Sequence, residues 1–176
     1  MRALIDSILF ASECHSGQFR KDGHTPYINH PLEVMHLLIS EGGVEDQEIL
    51  IAAMLHDVVE DTTVTATEIR EKFGKRVSEI VLELTDDKTM TKEERKKEQL
   101  VSAKTLSPEA KLIRLSDKIC NVYDILYAPP GNWDMDRRRD YLRWAQAVID
   151  KIKGTNEALE KKFEELIREG TKFLGE

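Results

Sequence analysis

His56 and Asp57 close the most apolar stretch of the chain, Ile49-Leu50-Ile51-Ala52-Ala53-Met54-Leu55, and Glu60 and Asp61 follow at once. An imidazole and three carboxylates at the end of a core segment are costly unless they are paired, shifted in pKa or bound to a metal. His56 and Glu60 are four residues apart, as are Asp57 and Asp61, so on a continuous helix each pair shares a side. Asp117 is a second polar intruder: it interrupts the apolar pattern of Leu112, Ile113, Leu115, Ile119 and Val122, and Asn121 lies one helical turn further on. His30 stands directly before Pro31, where a loop gives way to a helix. Together His30, His56, Asp57 and Asp117 offer two imidazoles and two carboxylates. That donor set suits one divalent ion of borderline type (manganese, iron or zinc), and its oxygen content leans towards manganese, while no cysteine stands near enough for a thiolate zinc site. Asn121 adds a neutral hydrogen-bonding group for a substrate beside the ion.

Plainer readings compete. A His-Asp pair is common by chance, His30 could cap a helix, and Asp117 could pair with Lys118 or Arg114. His15, His24 and His36 have no partner carboxylate at useful spacing in an apolar setting and read as surface or packing residues. Lys92, Arg95, Lys96 and Lys97 read as a solvated helix face, as do Arg137, Arg138 and Arg139, although one of those arginines could reach phosphates. Trp133 and Trp144 read as packing anchors.

The elements that must carry these groups are helices throughout. Apolar residues at helical spacing predict a first helix over 2–15. A loop, QFRKDGHTPYIN, leads to a helix with Pro31 in its first turn, ending at Gly42-Gly43. A helix over 46–59, apolar on most sides, is expected at the centre of the fold. Thr65 with Glu68, and Thr91 with Glu94, have capping-box spacing. They open a short helix ending at Phe73-Gly74 and a charged helix reaching about Lys104, with a further helix over 75–84 between them. Ser107-Pro108 is a cap and first position for a long helix to about Tyr127. Helices over 135–153 and 156–173, separated by Gly154, complete the chain. No strand alternation, repeat or linker interrupts the pattern, so the expectation is an all-α, single-domain helical bundle over residues 1–176.

That length is enough to bury about two thirds of the unfolded surface without disulfide staples. A net charge of −7 argues against nucleic acid as partner but not against a small anionic nucleotide, which responds to the local field of its pocket. The two cysteines, Cys14 and Cys120, form no CxxC motif and read as reduced thiols of a cytoplasmic protein. Asp6 and Glu13 break the N-terminal apolar pattern, so it does not read as a leader, and no apolar run approaches the roughly 18 residues of a membrane span. Oligomeric state is open.

In order along the chain, RKDGHTPYINHPLEV (20–34), AAMLHDVVEDT (52–62), FGKRVSEIVLELTDDK (73–88), KLIRLSDKICNVYDI (111–125), GNW (131–133), RRRDYLRWA (137–145) and KGTNEALE (153–160) resemble the HD superfamily. Within it they resemble the RelA/SpoT-type hydrolases, and TDDKTMTKEERKKEQ is similar to the stand-alone small alarmone hydrolases of the metazoan SpoT-homologous type. The resemblance implies an HD-domain bundle that hydrolyses the 3′-pyrophosphate of ppGpp or pppGpp to GDP or GTP plus pyrophosphate. It implies metal ligands at His30, His56, Asp57 and Asp117, Glu60 and Asp61 as the pair that positions and activates the attacking water, and Arg20, Lys21, Asn121 and Tyr141 as substrate contacts. The bifunctional members carry synthetase and regulatory domains further on, so hydrolysis without synthesis is expected. The loop Asp22-Gly23-His24 is a residue shorter than in metazoan members. Two rival readings follow: an HD-type phosphatase acting on NADPH, adenine alarmones or another nucleotide, and a silent domain that binds the alarmone without turnover.

Overall fold

A computed structural model describes residues 1–175. Its helices are α1 (Arg2–Cys14), α2 (Asn29–Ser40), α3 (Gln47–Leu55), α4 (Val58–Asp61), α5 (Ala66–Phe73), α6 (Lys75–Leu84), α7 (Lys92–Ser102), α8 (Pro108–Tyr127), α9 (Met135–Ile149) and α10 (Glu157–Leu174), with one 3-10 turn at Ala103–Thr105. The fold is all-α, and among the described residues the only extended pairing is an isolated antiparallel bridge between Phe19 and Pro26. None of the described helices is long and apolar enough to cross a membrane.

Two helices form the interior. Every residue of α3 from Ile49 to Leu55 is buried, and α3 packs on α1, α2 and α6. Helix α8 runs through the middle of the bundle, against α2, α6, α9 and α10. The small residues of α3, Ala52 and Ala53, let neighbouring helices approach closely, and Leu55, Ile113 and Phe163 fill the space between them with no exposed surface.

Local chemistry sets most boundaries. Thr65 and Glu68 close a reciprocal capping box at the start of α5, and Thr91 and Glu94 do the same at α7. Ser107 Oγ accepts from Ala110 N, and Pro108 occupies the first turn of α8. At Gly74 φ is +99°, which lets α5 turn directly into α6. Because Thr91 fixes the start of the helix that carries Lys92, Arg95 and Lys96, Thr91→Ala is expected to cost about 1 kcal/mol. Chemical denaturation at constant m-value checks this.

The central apolar segment departs from the continuous helix expected over 46–59. Helix α3 stops at Leu55, His56 and Asp57 form a turn, and α4 resumes for a single turn. Asp57 sits at φ −100°, ψ −7°, well away from ideal α-helical values. An unbroken helix would splay adjacent side chains by about 100°, whereas this break lets His56 and Asp57 converge. Helix α9 also ends earlier than expected, at Ile149, with Asp150 as its C-cap.

Candidate functional site

The polar intruders meet where the first turn of α2, the α3–α4 break and the middle of α8 come together. His30 Nε2 lies 3.1 Å from Asp117 Oδ1 and 3.7 Å from Asp57 Oδ2. His56 Nε2 lies 3.2 Å from Asp57 Oδ2 and 3.9 Å from Asp117 Oδ1. Ligand atoms of His30, His56 and Asp117 all fall within 4.8 Å of one another, and all three residues are buried. Asp57 joins them through its contacts to both imidazoles, with its Oδ2 also accepting a 2.6 Å hydrogen bond from the Tyr27 hydroxyl.

Hydrogen bonding tests whether this group fits a cation. The break in the helix frees the carbonyl of Ala53, one of the end-of-helix acceptors that needs a donor. His56 Nδ1 sits 2.7 Å from that oxygen, so Nδ1 carries the proton. In the neutral imidazole Nε2 then presents a lone pair to two carboxylates, and it has no hydrogen-bond partner of its own. Acceptor faces acceptor unless something positive lies between them. Burial pushes the His56 imidazolium down, but the facing Asp57 carboxylate overrides it and brings the pKa to about 9. Burial also works against ionised Asp57 and Asp117, yet His56 and Lys118 respectively hold them well below the usual carboxylate range. Burial lowers His30. Two imidazole nitrogens and two ionised carboxylates with a demand for positive charge between them fit a divalent cation.

Asp117 is fixed from behind. Its Oδ2 pairs with the buried Lys118 at 3.0 Å, and Asn121 Nδ2 donates to Oδ1. The plainer expectation for Asp117, a pair with Lys118, is therefore met, but on the oxygen turned away from the imidazoles. Asn121 Oδ1 accepts from Arg20, whose guanidinium also donates to Asp124 Oδ2 at 2.6 and 3.1 Å. The short loop after Lys21 closes on itself: Asp22 accepts from the backbone of His24 and Thr25 and from the Thr25 hydroxyl, Gly23 takes φ +84°, and Arg20 N reaches Thr25 O. That closure aims Arg20 and Lys21 inward.

His30, His56, Asp57 and Asp117, with Arg20, Lys21 and Asn121, open onto a cavity of about 440 Å³. Glu60 and Asp61 line it from α4. Glu60 Oε2 accepts from Asp86 N at 3.1 Å, and its Oε1 lies 3.5 Å from Arg95. Burial, with Asp86 and Asp57 nearby, pushes the Glu60 carboxyl up to about 7. Asp61 is paired with Lys88. Lys21, pulled down to about 8 by burial and by Arg20 and Lys92, stands over the rings of Trp133 and Tyr141. A smaller cavity of about 200 Å³ shares Arg20, Lys21, His30, Asn121 and Tyr141 with the first. Each of the ten residues singled out from the sequence as ligand, catalytic or substrate contact thus lines the larger cavity.

Several residues read as structural from sequence lie at the same site. Arg95 and Lys96 are half-buried in the cavity wall, and Lys92 lines the cavity while staying exposed; Lys97 is exposed, as expected. Trp133 is a cavity wall crowded by three cations, Lys21 at 5.6 Å, Lys92 at 5.3 Å and Arg137 at 4.4 Å from its ring centre. Trp144 carries Lys118 at 4.7 Å. Arg138 and Arg139 are not a solvated face: they donate to the carbonyls of Leu126 and Leu174. Tyr27 gave no signal beyond its place in the TPYIN segment, and His15 is a buried residue on a hydrogen-bonded path to the site.

Comparison with known proteins places this geometry. The HD domain family matches residues 7–139. The guanosine-3′,5′-bis(diphosphate) 3′-pyrophosphohydrolase MESH1 of Xenopus tropicalis is 45% identical over 93% of this chain and 92% of its own, and that of Danio rerio 42% over 94% and 93%. Among solved structures, that of a metazoan ortholog of SpoT, described as hydrolysing ppGpp, is similar with a TM-score of 0.93 at 40% identity, covering 96% of each chain. The chain belongs to the HD domain family and, within it, to the MESH1 group.

Proposed function

We propose that this chain hydrolyses the 3′-pyrophosphate of guanosine tetra- and pentaphosphate, yielding GDP or GTP and pyrophosphate, at one divalent cation held by His30, His56, Asp57 and Asp117. The observation that carries the reading is the His56 Nε2 lone pair turned on two carboxylates at the floor of a cavity walled by lysines and arginines. The floor asks for a cation, and the walls ask for a polyanion. The names of the MESH1 relatives supply the substrate that combines both. Manganese suits the mixed imidazole and carboxylate donors. Cys14 and Cys120 are free thiols, in keeping with a reducing cytoplasm. The site draws on α2, α4, α7, α8 and α9, which supports treating the chain as one domain.

When bound, the cation supplies Lewis acidity to a phosphate oxygen and acidifies water. The chain does the rest. Glu60, ionised above about pH 7, accepts the proton of the attacking water, and Asp61 orients that water. The hydroxyl adds to the phosphorus next to the ribose, the bond from that phosphorus to the 3′ oxygen breaks, and the 3′ oxygen takes up a proton. Arg20, locked by Asp124 and Asn121 through Nε and Nη2, keeps Nη1 and its fixed positive charge for phosphate oxygens, and Lys21 adds a point charge. Asn121 and the Tyr141 ring bound the space left for the nucleoside.

A panel of ppGpp, an adenine alarmone and NADPH, with phosphate and pyrophosphate release measured separately, tests the reading. Pyrophosphate from ppGpp supports it, and phosphate from NADPH alone overturns it. The charged walls give a second expectation. Lys92→Ala with Lys96→Ala should raise KM for ppGpp about tenfold or more, the weight of one or two charge-assisted contacts, with kcat little changed. An unchanged KM would place the phosphates elsewhere.

A further inference from the structure

Helix α4 presents Glu60 and Asp61 yet is only four residues long. A single turn holds itself poorly. Its own ladder supplies Asp61 N to Asp57 O and Thr62 N to Val58 O. What fixes its orientation must come from outside, and one such contact is Gln18 Nε2, which donates to Asp61 O at 3.0 Å. A carbonyl only accepts, so the Gln18 amide has one permitted orientation and turns its Oε1 away. That oxygen lies 2.8 Å from His15 Nδ1, which therefore carries the proton. His15 Nε2 is left with a lone pair, buried and without a partner.

The same imidazole rests on Tyr27, with ring centres 4.7 Å apart, and the Tyr27 hydroxyl holds Asp57. The backbone ties the three residues together: Gln18 N donates to His15 O, and Tyr27 N donates to Gln18 O. One buried ring thus stands behind both halves of the site, the cation ligand Asp57 through Tyr27 and the carboxylate pair through Gln18.

We propose that His15 and Gln18 are positioning residues of this reaction: the directed chain from His15 Nδ1 through Gln18 to the Asp61 carbonyl sets the azimuth of α4, and so the placing of Glu60 and Asp61 against the cation ligands. The proposal rests on the function proposed above. The two fail separately, since that function is judged on wild-type turnover and this role on variants of a chain that turns over.

Three variants separate aim from packing. Gln18→Met keeps length and removes the donor. His15→Phe keeps a ring on Tyr27 and removes the Nδ1 proton. His15→Asn loses the ring but keeps an N–H close to the Nδ1 position. In kinetics with ppGpp, Gln18→Met and His15→Phe are each expected to lower kcat about 10–100-fold, as loss of outer partners of a metal site does, with KM and bound cation within about twofold of wild type. Hydrogen exchange at the Asp61 and Thr62 amides should quicken in both. His15→Asn should stay within about threefold of wild-type kcat. Wild-type kcat and exchange in Gln18→Met would overturn the proposal, as would an active His15→Phe beside an inactive but folded His15→Asn. If His15→Asn does not fold, Gln18→Glu decides: it keeps an acceptor for His15 but no donor for Asp61, so it should match Gln18→Met, and wild-type kcat in it would overturn the proposal.

Discussion

Asp117→Asn and His56→Ala are expected to lose bound cation and turnover together. Asp117 presents Oδ1 to both imidazoles, while Lys118, Asn121 and His30 hold its carboxylate from three sides. The amide keeps the volume and part of the hydrogen bonding but not the charge, so the fold should survive while affinity for a divalent ion collapses. Asp117→Ala is the worse probe. It strands the Lys118 ammonium, whose side chain is 4% exposed, and breaking a buried pair in this way costs about 3–5 kcal/mol. His56→Ala removes one of the two imidazoles and opens the Ala53 carbonyl, with no buried charge stranded beyond those the cation itself would have balanced. Metal content per chain, measured beside turnover and melting temperature, checks both. Stoichiometric cation in either folded variant would show that the ligand set is wrong.

Glu60→Gln should keep the cation and slow turnover by roughly 10²–10⁴-fold, the usual share of a general base. The side chain is held by Asp86 N, with Arg95 and Lys88 at 3.5 and 3.9 Å. Gln can still accept from Asp86 N, so the geometry of the wall is preserved. The pH dependence follows with a definite sign. Burial raises this carboxyl to about 7, so the form able to take a proton is present above that pH and lost below it. A cation nearby favours the ionised form and moves the limb down. Activity should therefore fall on the acid side with a limb at or below about pH 7, and Glu60→Gln should lack that limb. Wild-type turnover in the variant would remove Glu60 from the role.

The sequence made the helices legible because their ends are written in local chemistry. Thr65 with Glu68, Thr91 with Glu94, and Ser107 with Pro108 act within four residues of themselves, and all three caps form as read. The proposed ligands were legible for a different reason: His56, Asp57 and Asp117 are polar groups placed inside apolar patterns that would otherwise exclude them. The break at His56-Asp57 was not legible, because a run of seven apolar residues looks the same whether or not the helix continues past it. Helix α7 misled for a related reason. Charge was read as exposure, yet Arg95 and Lys96 are half-buried against a cavity that is itself charged, while Lys92 and Lys97 are exposed as read. His15 had no carboxylate at helical spacing, and its partners, Gln18 and Tyr27, matter only through what they hold 43 and 30 residues further on, Asp61 and Asp57. No local pattern announces contacts of that range.

The most direct measurement is turnover of ppGpp by the purified chain after chelation, then after manganese is restored, with the products resolved. A site built on His30, His56, Asp57 and Asp117 predicts no turnover in the stripped protein, and GDP and pyrophosphate in equal amounts once manganese returns. GDP formed at full rate by the stripped protein, or ppGpp left intact after a divalent cation is bound, would contradict it.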